Sequence, residues 1–465
     1  MQASSRAAAS SSTPELLASW RNAGQKREEV RPELLAYHFA EADMPQRAAA
    51  YGLEAGRSSF GRSAAAEAAV QLQRALHLLS RLPDDESRRR LELDLQITLG
   101  HALIATKGYG VPGVAKAFDR ARQLVGYAEP IQQIAVLSGI GAYHYLRSES
   151  RAALRLGGDI VRLGRRSGDP TVYIEGQRRV GGALQQLGRL VPAQRHFDRG
   201  LARFASPQKP VREPAAFIVE PHATLLSLMC ANLLLLGYLD QARLRRAEAI
   251  ELTRRAAHPL TLASTMHWAA LSAFLLRDRA ALRGWVDEFV AVTAEHTLAH
   301  FMQWAQIWRR WLAVEADDGR ESLPQLREAL SVHWASGARF WSPMYTALLA
   351  DAYRRVGDTD RALDALADAL EQVEQTDQRV YEAELHRLKA VVLLAHAPSL
   401  SADAEVALVQ ALSVARGQHA RFCELRAATD LARLWVAQSR HREAHALLEP
   451  VYGWFSEGIR YTRPD

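Results

Sequence analysis

A solenoid of stacked, paired α-helices is the fold class this sequence predicts, and three observations predict it. From Pro32 onward Ala, Leu, Arg, Glu and Gln dominate, and no segment alternates Val, Ile or Thr with polar residues at the period of a strand. Seven times along the chain a small residue is followed twelve positions later by Ala and twenty positions later by a larger apolar side chain. The anchors step by about 40 residues, the period of a supersecondary unit rather than of an independent domain.

Taken in order, residues 1–30 are rich in Ala and Ser and lack the apolar stretch of a secretory signal, so they read as a disordered tail. An organelle-targeting peptide is the weaker alternative, given the early Glu15 and a poor amphipathic pattern. The repeats then run over residues 31–458, with a short tail over 459–465. Their copies are Gly56, Ala68, Leu76; Gly141, Ala153, Val161; Gly181, Ala193, Leu201; Cys230, Ala242, Ile250; Ala269, Ala281, Phe289; Ala350, Ala362, Leu370; and Ala432, Ala444, Tyr452. Degenerate copies centre on Gly100, Arg310 and Lys389, giving about ten helix pairs in one continuous array. A small anchor lets the second helix approach closely, and the Ala near its start fills the matching contact. Gly188, Gly237, Gly357-Asp358 and Asp317-Asp318-Gly319 supply turn signals between the helices. Each pair can bury its apolar stripe only against the next.

Composition excludes several function classes. Apolar residues at 48% with 24% charged describe a folded chain, not a disordered one. The longest apolar run, Ala390 to Ala395, is far short of the roughly 20 residues a bilayer span needs, so no membrane segment is expected. Cys230 and Cys423 have no CxxC or Cys/His spacing, which argues against a disulfide framework or zinc module and for a reduced, cytoplasmic protein. The 58 basic and 52 acidic residues leave a net charge of +6, and only five of the basic residues are lysine. The doublets Arg165-Arg166, Arg178-Arg179, Arg245-Arg246, Arg254-Arg255, Arg309-Arg310 and Arg354-Arg355 are spread along the chain among acids. They read as solvated helix faces rather than a phosphate-binding surface, and no direct nucleic-acid partner is expected.

Leu349, Ala350, Tyr353, Gly357, Ala362, Leu366, Ala369 and Leu370 come closest to the pattern of tetratricopeptide repeats. That resemblance implies a right-handed superhelical solenoid, with a step longer than the usual 34 residues. ELLAYHFAEADMPQRAAAYGLEAG (Glu33 to Gly56), HALIATKGYG (His101 to Gly110), YEAELHRLKA (Tyr381 to Ala390), ELRAATDLARLW (Glu424 to Trp435) and PVYGWFSEG (Pro450 to Gly458) are more specific. They resemble the C-terminal helical region of bacterial signalling proteins that carry a class III adenylate/guanylate cyclase domain and an AAA/STAND ATPase. The chain departs from those proteins in lacking GxxxxGK[ST], since none of its lysines follows a glycine, and in lacking a cyclase domain. The resemblance therefore implies a non-enzymatic array, either a freestanding adaptor or a detached fragment.

No catalytic constellation is expected. Gly108, Gly110 and Gly113 spell GxGxxG, but the segment before them is helical where a dinucleotide site needs a strand. His441 and His445, like His296 and His300, have the i, i+4 spacing of a metal pair without the HExxH arrangement. Ser58 and Ser59 are not centred as in GxSxG, and Cys230 occupies a packing anchor. Neither cofactor nor metal is implied.

The aromatic pattern points instead to binding. Seven of ten tryptophans fall between Trp268 and Trp341, with Trp304, Trp308 and Trp311 on one helical stripe, read as core before ligand site. The first helix of each pair should line the concave face, so residues one, four or five places after an anchor should meet a groove. Gln185, Trp311, Asp351, Arg354 and Arg355, with Leu393 and Leu394, are the candidates, a mixed surface suited to a protein or peptide partner. The expected function is an interaction or sensor array; the alternative is a regulatory subunit or sensor of a STAND-type transcriptional regulator.

Overall fold

The computed structural model describes residues 31–457 except 63, 109–110, 128–129, 205–218, 257, 317–318 and 320. The two expected tails, Gly110 and Asp317-Asp318 lie outside the described residues. Among the described residues there are 21 α-helices and no strand. They belong to two compact units that meet between Ile140 and Gly141.

The first unit holds α1 (Pro32–Glu41), α2 (Pro45–Gly61), α3 (Ala65–Leu79), α4 (Glu86–Lys107), α5 (Pro112–Gln123) and the start of α6 (Pro130–Leu146). Proline opens several of these, where its missing N–H is no loss. The Asp85 carboxylate accepts from the Arg88 N–H to cap α4. Gly100 on α4 faces Phe118 on α5, whose ring lies 2.6 Å from where a Cβ would stand, so only glycine permits this approach.

In the second unit the rest of α6 pairs with α7 (Ser150–Ser167), α8 (Pro170–Gln186) with α9 (Leu190–Phe204), and α10 (Pro221–Leu236) with α11 (Leu239–Ala256). Then α12 (Pro259–Leu275) pairs with α13 (Arg279–Glu295), α14 (Ala299–Ala316) with α15 (Ser322–Ala335), and α16 (Ser342–Arg355) with α17 (Thr359–Thr376). The series closes with α18 (Glu382–His396) and α19 (Ser401–Gln418), then α20 (Arg421–Ala437) and α21 (His441–Gly453). Every small anchor falls on the first helix of a pair and every Ala twelve positions on falls on the second, so the spacing marks helix pairs as expected. The twentieth position follows less strictly: Phe289 is buried, whereas Tyr452 is 46% exposed.

Within this unit the first helices lie inside and the second helices outside. All sixteen residues of α10 and fifteen of the seventeen in α8 are buried, against five of eighteen in α11. The solenoid also closes on itself. The Arg339 and Phe340 N–H groups donate to the Leu146 carbonyl at 2.8 and 3.0 Å, and the Arg379 and Val380 N–H groups to that of Gln186 at 2.8 and 3.2 Å. Tyr238 meets the Trp454 ring, and the Glu457 carboxylate accepts from the Asp240 and Gln241 N–H groups, capping α11 from the far end of the chain. The ends of α6, α8 and α10 are thus seated against the starts of α16, α18 and α20, so successive turns stack.

One expectation about charge is corrected. Arg178 and Arg179 are not on a solvated face: they are 5% and 6% exposed, and both donate to the fully buried Glu175 carboxylate at 2.7–2.8 Å. Arg165-Arg166 and Arg254-Arg255 are exposed, in line with that reading.

Candidate functional site

Among the described residues, the inner helices of the second unit line a cavity of about 380 Å3. Five inner helices and the start of one outer helix build it. The turn after α12 brings Arg277, the first residue of α13 is Arg279, α14 brings Trp311, and α16 brings Asp351, Arg354 and Arg355, which share a face because they sit at i, i+3 and i+4. α18 and its N-cap add Tyr381, Glu384 and Arg387, and α20 adds Arg426 and Asp430.

The charges fall into two clusters. In one, Asp351 accepts from Arg354 at 2.8 Å and Arg355 at 2.7 Å, while Glu315 beside it binds Arg279 at 2.6 Å and Arg355 at 3.1 Å. Trp311, 2% exposed, meets the Arg279 and Arg355 guanidinium groups, 5.1 and 5.5 Å from its ring. In the other cluster Glu384 binds Arg387 at 2.6 Å and Arg426 at 3.0 Å, and Arg387 reaches Asp430 at 2.6 Å. Burial pushes the Glu384 carboxyl up, but Arg387 and Arg426 outweigh it and hold the group below the usual carboxylate range. Asp351 is held low in the same way by Arg355 and Arg354 against its own burial. Six arginines thus face three lining carboxylates and Glu315, and the cavity keeps a positive surplus.

Of the residues expected at the groove, the cavity brings together Trp311, Asp351, Arg354 and Arg355. Gln185 lies elsewhere, fully buried, with its amide donating to the Leu228 carbonyl at 3.2 Å. Leu393 and Leu394 pack into the apolar core of α18 to α21 instead of the cavity. Arg277, Arg279, Glu384, Arg387, Arg426 and Asp430 escape the sequence rule for a geometric reason. Cavity residues slide from eight places after the anchor on α12 to six before it on α20. That is roughly 20 Å along the helix direction at 1.5 Å per residue, so the fixed offset catches only part of the lining, at α14, α16 and Ala273 and Phe274 of α12, and fails on α18 and α20.

No family model matches the chain. An uncharacterized protein of Rhizobium meliloti (strain 1021) is 23% identical over 371 residues, a match taking in 77% of this chain and 35% of that protein. The chain spans about a third of the length of the curated relative it matches. Among solved structures it is similar to a Rap protein complexed with competence and sporulation factor, at 11% identity and TM-score 0.44, over 89% of this chain and 99% of that one. It is similar also to the APC/C hetero-tetramer Cut9–Hcn1, at 15% identity and TM-score 0.49, over 90% and 81%. A STAND protein with a tetratricopeptide repeat sensor from Pyrococcus horikoshii matches at 13% identity and TM-score 0.38, over 79% and 54%. At these identities the likeness is one of helical-repeat architecture alone.

The remaining motifs take ordinary places. Gly108 is the C-cap of α4 at φ +82°, and Gly113 lies inside α5. Cys230 and Cys423 are buried free thiols, each pushed up to about 12 by burial. Among the described residues no group of three His, Cys, Asp or Glu side chains is placed to hold a metal, and no helix is long and apolar enough to cross a membrane.

Proposed function

We propose that the chain is a helical-repeat interaction or sensor array, without catalytic chemistry of its own, that holds an acidic segment of a protein or peptide partner. The observation that carries this reading is the surplus of arginine around one interior cavity. An acidic segment would complete the charge balance with charge-assisted hydrogen bonds, the kind that bind guanidinium to carboxylate most strongly. Arg354 and Arg355 would supply contacts and Trp311 desolvated support beside Arg355. The reading includes residues 31–458 as one array in the cytoplasm, of the kind attached to cyclase/ATPase signalling proteins. The relative in which this stretch makes up about a third of the length supports a place in, or beside, a larger chain.

Selection of short random peptides against the purified chain tests it. Enrichment of acidic sequences is expected, with capture that weakens at high salt and is reduced by replacing Arg354 and Arg355 with Gln while helicity stays intact. Selected peptides without acidic bias, or capture indifferent to that double replacement, would move the binding surface elsewhere.

A further inference from the structure

The turn from inner to outer helix repeats one backbone feature through most of the second unit, and one of those copies carries an unexpected residue. Ser148, Gly188, Gly237, Gly319, Gly357 and Ser439 take the left-handed conformation there, with φ from +63° to +94°. Glycine does so without steric penalty and a small polar residue at little. At the α12–α13 turn the same position is Arg277, at φ +57°. A long side chain held in a conformation that disfavours it points to a task other than making the turn.

Its surroundings say which task. Arg277 lines the cavity, is exposed, and its side chain makes no hydrogen bond or salt bridge among the described residues, its charge being offset only at longer range by Glu384 and Asp430, whereas Arg279, Arg354, Arg355, Arg387 and Arg426 are all directly paired with carboxylates. Arg426 lines the same cavity, and its Nε is buried without a hydrogen-bond partner. We propose that Arg277 and Arg426 form an oxyanion subsite at this end of the cavity, which takes a carboxylate or phosphate group of the bound ligand. The proposal rests on the reading of the cavity as a site for an acidic ligand and names the residue that anchors it. Arg426, followed by partial burial and Arg387, makes the Arg277 charge less favourable and outweighs the opposing pull of Glu384 and Asp430, and an incoming oxyanion reverses that. Guanidinium pairs bind such groups in a planar, bidentate fashion that lysine would not reproduce.

The test uses the full chain with Arg277→Gly, which restores the residue that the turn prefers, and Arg277→Lys. Inorganic phosphate and glutarate are titrated separately against both variants and the unmodified protein, at constant ionic strength with chloride as the control. Saturable binding of at least one anion is expected in the unmodified protein. Arg277→Gly should lose tenfold or more in affinity while melting at the same or a higher temperature, and Arg277→Lys should fall between. The anion that saturates tells whether the group is phosphate or carboxylate. Equal affinity in Arg277→Gly, or no saturable binding of either anion, overturns the subsite. Acidic peptides that bind Arg277→Gly undiminished sink this inference while leaving the proposed function standing; anion binding without any peptide selection does the reverse.

Discussion

The inner and outer helices of the second unit come from the same repeat but obey different physics. Outer helices such as α11 are charged and buried along one side, so their face can be read from periodicity. Inner helices such as α10, PHATLLSLMCANLLLL, are apolar all round and buried all round. The difference teaches that the concave side of this solenoid is a core: its inner helices contact neighbours in the same turn and, at their ends, helices of the next turn. Charged groups deep in that layer sit in closed clusters such as Glu175 with Arg178 and Arg179.

The strongest way to break that contrast is to hollow the inner layer. Trp308, fully buried and edge-on to Trp311, should cost roughly 3–5 kcal/mol when replaced by Ala, read from denaturant midpoints. A loss under about 1 kcal/mol would mean the inner helices are not a close-packed core.

Acid should act on the inner layer next. His267 and His300 are held down to about 3 and His333 to about 4, from an ordinary 6.5, mainly by burial among aromatic rings. Each folded value lies below the unfolded one, so protons bind the unfolded chain first as pH falls. Stability is full above about 6.5 and is lost progressively toward pH 3–4. Chemical denaturation at pH 7.5 and 4.5 should show a large drop in midpoint, and His300→Phe should make that drop smaller. An unchanged pH dependence in this variant would place the acid sensitivity in the carboxylates instead.

Two glycines sharpen the comparison at a smaller scale. On inner helix α8 a Cβ at Gly176 would stand 2.5 Å from the Val161 backbone nitrogen, so Gly176→Ala should destabilise by about 1–3 kcal/mol. On outer helix α13 Gly284 has nothing within 4 Å, and Gly284→Ala should stabilise by about 0.5–1 kcal/mol through helix propensity. Thermal melts of both variants that shift in the same direction would contradict the layering. The smallest effect is expected on the outer surface, where breaking the exposed Arg255–Glu251 pair with Arg255→Ala should change stability by at most about 0.5 kcal/mol.

The pairing of helices was legible in sequence because it rests on a local contact with a fixed spacing: Gly181 can pack against Phe197 only if both stay in place. Trp311, Asp351, Arg354 and Arg355 were legible as cavity residues for the same reason, being counted from an anchor nearby. Gln185 was misplaced because the rule assumes an open concave side, and α8 is covered on every face. Arg277, Glu384, Arg387 and Arg426 were out of reach because the cavity's position shifts along the helices from pair to pair, and no single repeat encodes that shift. The stacking of turns was equally hidden, since Leu146 and Arg339 meet across five repeats.

That stacking makes inner-helix length a constrained dimension of the architecture. If the advance of the superhelix over one turn equals the length of one inner helix, the end of α6 arrives at the start of α16, α8 at α18 and α10 at α20, forming three end-to-end columns. Lengthening an inner helix by one turn would push a column apart by about 5.4 Å, while the same residues added between an outer helix and the next inner one could bulge outward. Sixteen residues separate α9 from α10, whereas the link from α10 to α11, which faces the Trp454 end of the chain, has only two. Growth of this chain by insertion therefore has a grain: free along the outer connections and barred along the columns.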